Sequence, residues 1–465
     1  MRPSRIPELL APAGSLDAVR AAVANGADAV YLGASRFNAR DDGAQLTLDD
    51  LAQACDLAHR HRVRVYLTFN VLIKTAELAE ALDYLGDCVD RGIDAAIVQD
   101  LGVVRLIQRA YPSLEVHGST QMTVHDASGA RVMERLGIER VVLARENTLE
   151  DIRVIREAVP TLGLETFVHG ALCISYSGQC LMSGMISERS ANRGSCAQSC
   201  RKDYVLRDGT TTHELDRGFL ISTKDLGAWD HLPAIAEAGV GCLKIEGRKK
   251  KPEYVATVTK GYREFLDRLE AGQWHPPTFE ETQPLVQIFS RGFTGGMYGG
   301  RDGRGYVTRA TPDNRGLPLG GVLGVGREGV TVEVRSPIRE GDGVGFEPAA
   351  DDARAMHDAV GFTVGTVRTL QAGDGRWRQL LAPRDRRSLG RLAAGWQVVR
   401  TADAELLARA RASWQALAEP LRARRTRLDL RLFGSAGGPL KVVARSVLDA
   451  ARPDEVDEVV VRSVI

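Results

Sequence analysis

From residue 8 to about residue 275, short apolar runs alternate with stretches in which apolar residues return every three or four positions. The runs are ELLAPAG (8–14), AVYLGAS (29–35), RVYLTFN (64–70), AAIVQD (95–100), EVHGST (115–120), RVVLAR (140–145), LETFVHG (164–170) and CLKIEGR (242–248). Their length and β-branched content predict strands. The stretches between them predict amphipathic helices. One follows Ser15 as N-cap, others run from Thr47 to His61 and from Thr75 to Arg91, and LGVVRLIQRAYP follows the fourth run. Further helices end near Gly137, start at Thr148 and extend from about Pro252 to Glu270.

Eight such strand units, most followed by a helix, fit a parallel (β/α)8 TIM-like barrel better than an open sheet. No G-x-G-x-x-G follows the first run, which counts against a dinucleotide fold. Polar residues gather at the ends of the runs: Asn70, Gln99, Asp100, His117, Ser119, Gln121, Arg145, His169, Glu246 and Arg248. In such a barrel those ends surround one mouth, where ligands bind.

The pattern divides the rest of the chain. Residues 1–275 form the barrel, with a cysteine-rich insertion at 171–223, and 276–315 read as a Gly/Pro/Arg-rich connection dominated by loop. Alternating β segments at 316–401 predict a small β-barrel, 402–427 an Arg-rich helical linker, and 428–465 a partial C-terminal β-rich domain.

Charge adds little: 61 Lys plus Arg nearly cancel 60 Asp plus Glu, so a polyanionic partner must be met by a local patch. Candidates are Lys249, Lys250 and Lys251 and the group Arg422, Arg424, Arg425 and Arg427. No apolar run approaches the roughly 18 residues of a membrane span. MRPSRIPELLAPAGS lacks a continuous signal-peptide core, so a cytoplasmic protein is expected.

Cysteine placement changes the picture most. Four of the seven cysteines lie in CISYSGQCLMSGMISERSANRGSCAQSC, at spacing Cys-x6-Cys-x15-Cys-x3-Cys, directly after the seventh run. The segment has no sustained hydrophobic period, and such clustering favours reduced thiols or metal ligands over a disulfide framework. Structural zinc sites usually use Cys-x2-Cys knuckles, which are missing here, whereas a 4Fe–4S cluster accepts thiolates from separate turns. Cys173, Cys180, Cys196 and Cys200 are the candidate ligands. Four reduced thiols, or a redox pair of Cys196 and Cys200, are the plainer readings. Cys55 and Cys88 fall on apolar helix faces and read as core. Cys242 competes for one ligand place.

The strings HGALCISYSGQCLMSG, NRGSCAQSCRKDY, STKDL and KIEGRKKKPEYVATVTKGYR resemble the peptidase U32 family, also called collagenase-like proteases, over roughly residues 5–275. SRGFTGG and NRGLPLGGVLGV resemble its longer members, the branch that 5-hydroxylates a cytidine of 23S ribosomal RNA. Sister branches hydroxylate a tRNA wobble uridine or act in ubiquinone hydroxylation. The resemblance implies a 4Fe–4S cluster on Cys173, Cys180, Cys196 and Cys200, with Cys242 as the alternative fourth ligand. In the tRNA branch it implies prephenate as a required small molecule.

The expected function is an iron–sulfur-dependent RNA base hydroxylase acting on a pyrimidine of rRNA or tRNA, with an electron donor as a further partner. Glu246 and Arg248 are candidates to orient base or oxygen donor. His117, His169 and Tyr176 are candidates for proton transfer or stacking. A U32-type peptidase is the alternative, although the sequence has neither G-x-S-x-G nor H-E-x-x-H and its best thiols are the expected cluster ligands. A second alternative is a non-catalytic RNA-binding or assembly factor with a structural cluster.

Overall fold

The computed structural model describes residues 6–39, 45–209, 214–301, 305–308, 312–348, 360–385, 389, 392–415, 417, 427–434, 439–447 and 458–462. Residues 1–416 make one compact unit and 417–465 another.

Eight parallel strands close the barrel: β1 (Glu8–Ala13), β2 (Ala29–Leu32), β3 (Arg64–Phe69), β4 (Ala95–Val98), β5 (Glu115–Gly118), β6 (Arg140–Val142), β7 (Gly163–Ala171) and β11 (Cys242–Ile245). β11 pairs with both β7 and β1, so no edge remains. Helices α1 (Leu16–Ala24), α2 (Leu48–Arg60), α3 (Leu78–Val89), α4 (Leu101–Ala110), α5 (Ala127–Arg135) and α6 (Leu149–Ala158) follow the first six strands. Their starts are written locally: Ser15, Thr47, Asp100, Asp126 and Thr148 accept backbone N–H bonds as N-caps. α9 (Pro252–Glu270) follows β11 and closes the ring against α1.

The insertion after β7 is longer than one loop. It holds the short helix α7 (Met182–Ser187), a hairpin of β8 (Tyr204–Arg207) and β9 (Glu214–Gly218), β10 (Asp225–Gly227) antiparallel to the end of β7, and α8 (Leu232–Glu237).

The barrel interior has two characters. Leu10, Ala29, Tyr31, Tyr66, Ala95, Ile97 and Cys242 form a packed inner cluster. Charged groups thread it from the strand starts. Glu165 is fully buried, with Lys244 Nζ at 2.7 Å and Arg140 at 3.7 Å. Arg140 also reaches Glu8 at 2.7 Å, and the Tyr66 hydroxyl and the Cys242 thiol donate to Glu8 at 3.0 and 3.4 Å. Lys244 lies 4.3 Å above the Tyr31 ring. Such a network is tolerated in a core only because its charges are paired.

Two expectations after the barrel need correcting. The loop-dominated connection contains a helix, α10 (Phe279–Ile288), begun by a capping box of Thr278 and Glu281. The Gly-rich stretch after it packs on the barrel: β12 (Phe293–Thr294) pairs with β10, and the Tyr298 hydroxyl is 2.7 Å from Thr166 Oγ1 and donates to the Phe167 carbonyl. The helical linker is in fact docked: α11 (Ala404–Gln415) lies on α9 and α1, with Arg411 bonded to Glu253 at 2.7 Å and Asn25 to Ser413 at 2.8 Å.

The small β-barrel is as expected. β13 (Leu317–Gly326), β14 (Gly329–Val334), β15 (Gly343–Glu347), β16 (Val360–Gly373), β17 (Arg376–Pro383) and β18 (Gln397–Ala402) close antiparallel in the order 13-14-17-16-15-18. Val330, Val332, Phe346, Val364, Leu381 and Val398 fill it. Gln287 of α10 and Arg400 of β18 exchange two 2.8 Å bonds, tying it to the helical layer. In the second unit, β19 (Arg427–Phe433), β20 (Lys441–Val447) and β21 (Glu458–Arg462) form an antiparallel sheet.

Among the described residues no helix is long and apolar enough to cross a membrane.

Candidate active site at the barrel mouth

The cysteine segment is fastened across the strand ends. From the loop after β3, the Leu72 N–H donates to the Asn192 carbonyl at 3.3 Å, and Arg193 bonds the Leu72 carbonyl at 2.6 Å and Glu77 at 2.8 Å. After β5, Thr123 Oγ1 donates to the Ser177 carbonyl at 2.7 Å. After β6, Glu146 accepts from Ser177 Oγ at 2.9 Å, and Ser177 Oγ accepts from the Arg145 N–H at 3.1 Å. Gly178 sits at φ +74° with its α-carbon so close to the β5 loop that a Cβ would lie 2.3 Å from the Gln121 carbonyl oxygen. The segment therefore roofs the mouth.

Within this roof Cys173, Cys180 and Cys200 are half-buried and Cys196 is exposed, all four as free thiols. Burial pushes the Cys200 thiol up, the Arg201 guanidinium pulls it down, and Cys173, Cys196 and Cys180 each push it up again. The Cys200 sulfur thus feels each of the other three. Among the described residues no three His, Cys, Asp or Glu side chains are gathered as ligands of a single ion. A four-iron cluster takes one thiolate at each iron, so it draws its donors from a wider circle than one ion does. In chemistry the four-thiol set fits such a cluster.

Below the roof lie the strand-end polar groups. Arg145 contacts Glu246 at 3.1 Å, donates to the Ala171 carbonyl at 3.1 Å and lies 4.2 Å over the Phe167 ring. Arg248 is buried and donates to Thr68 at 2.6 Å and Asn38 at 3.4 Å. Its approach requires Gly33 and Gly14, where a Cβ would meet Arg248 Nη1 at 2.7 Å and its carbonyl oxygen at 2.0 Å. Asn70 donates to Gln121 at 3.1 Å, and Gln99 Oε1 is buried with no hydrogen-bond partner among the described residues.

Other candidates fall elsewhere. His117 is not at the mouth: it is buried against Tyr66 (ring centroids 4.8 Å) with Glu115 at 3.2 Å, among the strand-start charges. The two-residue period of β5 puts it on the inner face, one pleat below Ser119. His169 faces outward into an aromatic layer of Trp229, Tyr254, Tyr262 and Phe293. Tyr176 is 70% exposed on the roof. Cys242 is fully buried, and the groups acting on it are Glu165, Glu8, Arg140 and Lys244, at the far end of the strands from the roof. Cys55 and Cys88 are buried, their thiols pushed up to about 12 by burial. Lys249 and Lys251 are exposed, but Lys250 turns in over the Phe289 ring at 2.8 Å, where burial lowers its ammonium to about 8. Arg422, Arg424 and Arg425 lie outside the described residues, and Arg427 is described only as the start of β19.

Asn38, Thr68, Ser177 and Tyr306, whose hydroxyl donates to the Cys173 carbonyl at 3.4 Å, were not among the sequence candidates. None carries a motif; each is visible only through its partner.

The buried His169 has a pH consequence. Burial holds its imidazolium down to about 3 against an ordinary value near 6.5. Below about pH 6.5 the unfolded chain takes a proton that the folded one refuses, so stability falls as pH drops from there towards 3, by up to about 1.4 kcal/mol per unit. His169→Phe is expected to recover about 2 kcal/mol of the loss between pH 7 and pH 5, read from urea midpoints at both pH values.

A family model described as Peptidase family U32 matches residues 14–307. The Escherichia coli (strain K12) protein named 23S rRNA 5-hydroxycytidine C2501 synthase is 35% identical over 378 residues, covering 80% of this chain and 56% of the relative. The Bacillus subtilis (strain 168) tRNA hydroxylation protein P1 is 38% identical over 267 residues, covering 56% of this chain and 63% of the relative. This chain therefore spans less than two thirds of either relative. Among solved structures, the U32 peptidase Mk0906 is 21% identical, covers 36% of this chain and 70% of its own, and superposes with a TM-score of 0.31.

Proposed function

The chain belongs to peptidase family U32, and from that premise we propose that it is an iron–sulfur-dependent hydroxylase of a pyrimidine base in RNA. The observation that carries this reading is that the segment bearing Cys173, Cys180, Cys196 and Cys200 is fastened to the loops after β3, β5 and β6, at the strand ends that carry Arg145, Glu246 and Arg248. The names of the two curated relatives support RNA hydroxylation as the chemistry.

Those four cysteines would hold a 4Fe–4S cluster, which when bound supplies one-electron chemistry beside the mouth. The chain's own residues do the rest. The roof shields the mouth from bulk water, and its attachment to the loops after β3, β5 and β6 fixes its place. Glu246, held by Arg145, accepts from a base N–H, and Arg248, held by Thr68 and Asn38, offers donors to an acidic group. Arg248 would likewise receive a carboxylate of an acidic co-reactant such as prephenate. Lys249 and Lys251 add exposed positive charge beside the mouth for phosphate contacts, whose contribution falls with salt. An electron donor would be the further partner of such a site.

A peptidase is the second reading only by name. A thiol protease needs a histidine beside a free thiol. Here His117 is turned into the barrel and His169 into the aromatic layer, so neither is placed to activate one of the four cysteines.

Glu246→Gln removes the charge that Arg145 holds and that a base N–H would meet. A hydrogen bond to a charged group is worth about 1.5–3 kcal/mol. The change should therefore lower kcat/KM about tenfold to a hundredfold while iron content stays at the wild-type level. Equal turnover by wild type and variant would remove Glu246 from substrate binding.

The reading as a whole is tested by deleting the gene and comparing ribosomal and transfer RNA nucleosides by mass spectrometry. One hydroxylated pyrimidine should disappear and return with the wild-type gene. An unchanged nucleoside profile overturns the hydroxylase and leaves the binding-factor reading. Gelatin turnover lost with the cysteines would restore the peptidase.

A further inference from the structure

The first and last cysteines of the segment are 27 positions apart in sequence, yet one side chain reaches the backbone beside both. Arg201 follows Cys200 directly. Its Nη2 donates to the carbonyl of Leu172, the residue before Cys173, at 3.1 Å, and to Thr223 Oγ1 at 2.8 Å. Its Nη1 donates to Ser222 Oγ at 2.8 Å and to the Thr223 carbonyl. Thr223 Oγ1 in turn donates to the same Leu172 carbonyl at 2.8 Å. Ser222 and Thr223 are fully buried, and Thr223 bridges to Val307, next to Tyr306. The fork is thus anchored in the packed layer between the insertion and the barrel, not in the exposed roof.

We propose that Arg201 is the positioning residue of the four-cysteine site: its guanidinium clasps the two ends of the segment together and keeps a fixed positive charge beside the Cys173 and Cys200 sulfurs. This rests on the reading that the four thiolates hold an iron–sulfur cluster. The fork geometry matters because a planar guanidinium satisfies several acceptors at once in a set orientation, which an ammonium does not. Without it the Leu172 carbonyl and Thr223 lose their common donor, and the turn carrying Cys200 is free to move from the strand end carrying Cys173. The charge matters separately. A reduced cluster carries one more negative charge than an oxidised one, and a nearby cation favours the more negative state. Arg201 therefore raises the reduction potential of whatever the thiolates hold.

The two roles separate in two variants, Arg201→Lys, which keeps charge but loses the fork, and Arg201→Gln, which loses both. Wild type and variants are purified anaerobically and reconstituted with iron and sulfide. Iron release to a chelator and the midpoint potential, followed by EPR, are then measured. Partners that orient metal ligands are typically worth about 10–100-fold in affinity. Release should accelerate about tenfold or more in both variants, and the potential should fall in Arg201→Gln but little in Arg201→Lys. Thr223→Val, which removes one anchor while leaving Arg201, should give a smaller acceleration; it serves if an Arg201 variant fails to fold. Variants that melt like wild type yet keep its release rate and potential overturn the clasp while leaving the cluster in place. A wild-type protein that takes up no iron overturns the cluster reading, and the clasp with it.

Discussion

Cys200→Ser is expected to abolish iron retention and RNA hydroxylation together, with little loss of fold. Cys200 sits in a turn of the roof, outside the packed cores of both barrels, so an isosteric serine costs little in packing. Its thiol is acted on by the other three cysteines, and removing one corner of a four-thiolate site leaves an iron without its protein ligand. A serine hydroxyl is a poor replacement because soft thiolates are what select such clusters. Iron and sulfide per chain should fall to background, and the hydroxylated nucleoside should be missing from cells carrying only the variant. Cys242→Ser, made in parallel, should retain iron, since that thiol donates to Glu8 at the strand starts. Loss of iron from the Cys242 variant with retention in the Cys200 variant would reverse the assignment of the fourth ligand.

The largest effect on stability is expected at Lys244→Met. Glu165 is fully buried, and Lys244 is its 2.7 Å partner; Arg140, at 3.7 Å, is already shared with Glu8. Removing one partner of a buried pair leaves an uncompensated charge in the core, which costs about 3–5 kcal/mol. The double variant Lys244→Met with Glu165→Gln removes both charges and should recover more than half of that loss, because burying the pair was itself costly. Urea unfolding of the single and double variants reads both numbers. A single variant within about 0.5 kcal/mol of wild type would mean that Arg140 alone satisfies Glu165.

The barrel was legible because each strand is a short apolar run and most helices after them start at a capping residue, so local signals and fold agree. The roof was legible as chemistry, through four cysteines in an aperiodic segment, but not as geometry: nothing in the sequence links Asn192 to Leu72 or Ser177 to Glu146. α10 was hidden by the Gly- and Pro-rich composition around it, although Thr278-x-x-Glu281 is a capping box written in plain residues. The histidines were misplaced for a different reason. A strand shows which residues are near its end, but not how deep each one lies or which of two faces it takes until the register is known. One pleat put His117 inside the barrel, and a register shift between Lys244 and Ile245, opposite β7, accompanies the outward turn of His169.

The most direct test of the central claim is iron and acid-labile sulfide per chain in the full-length protein, purified anaerobically and reconstituted. The account predicts four of each per chain, lost on changing any one of Cys173, Cys180, Cys196 or Cys200. A colourless protein that binds neither iron nor sulfide after reconstitution would contradict it.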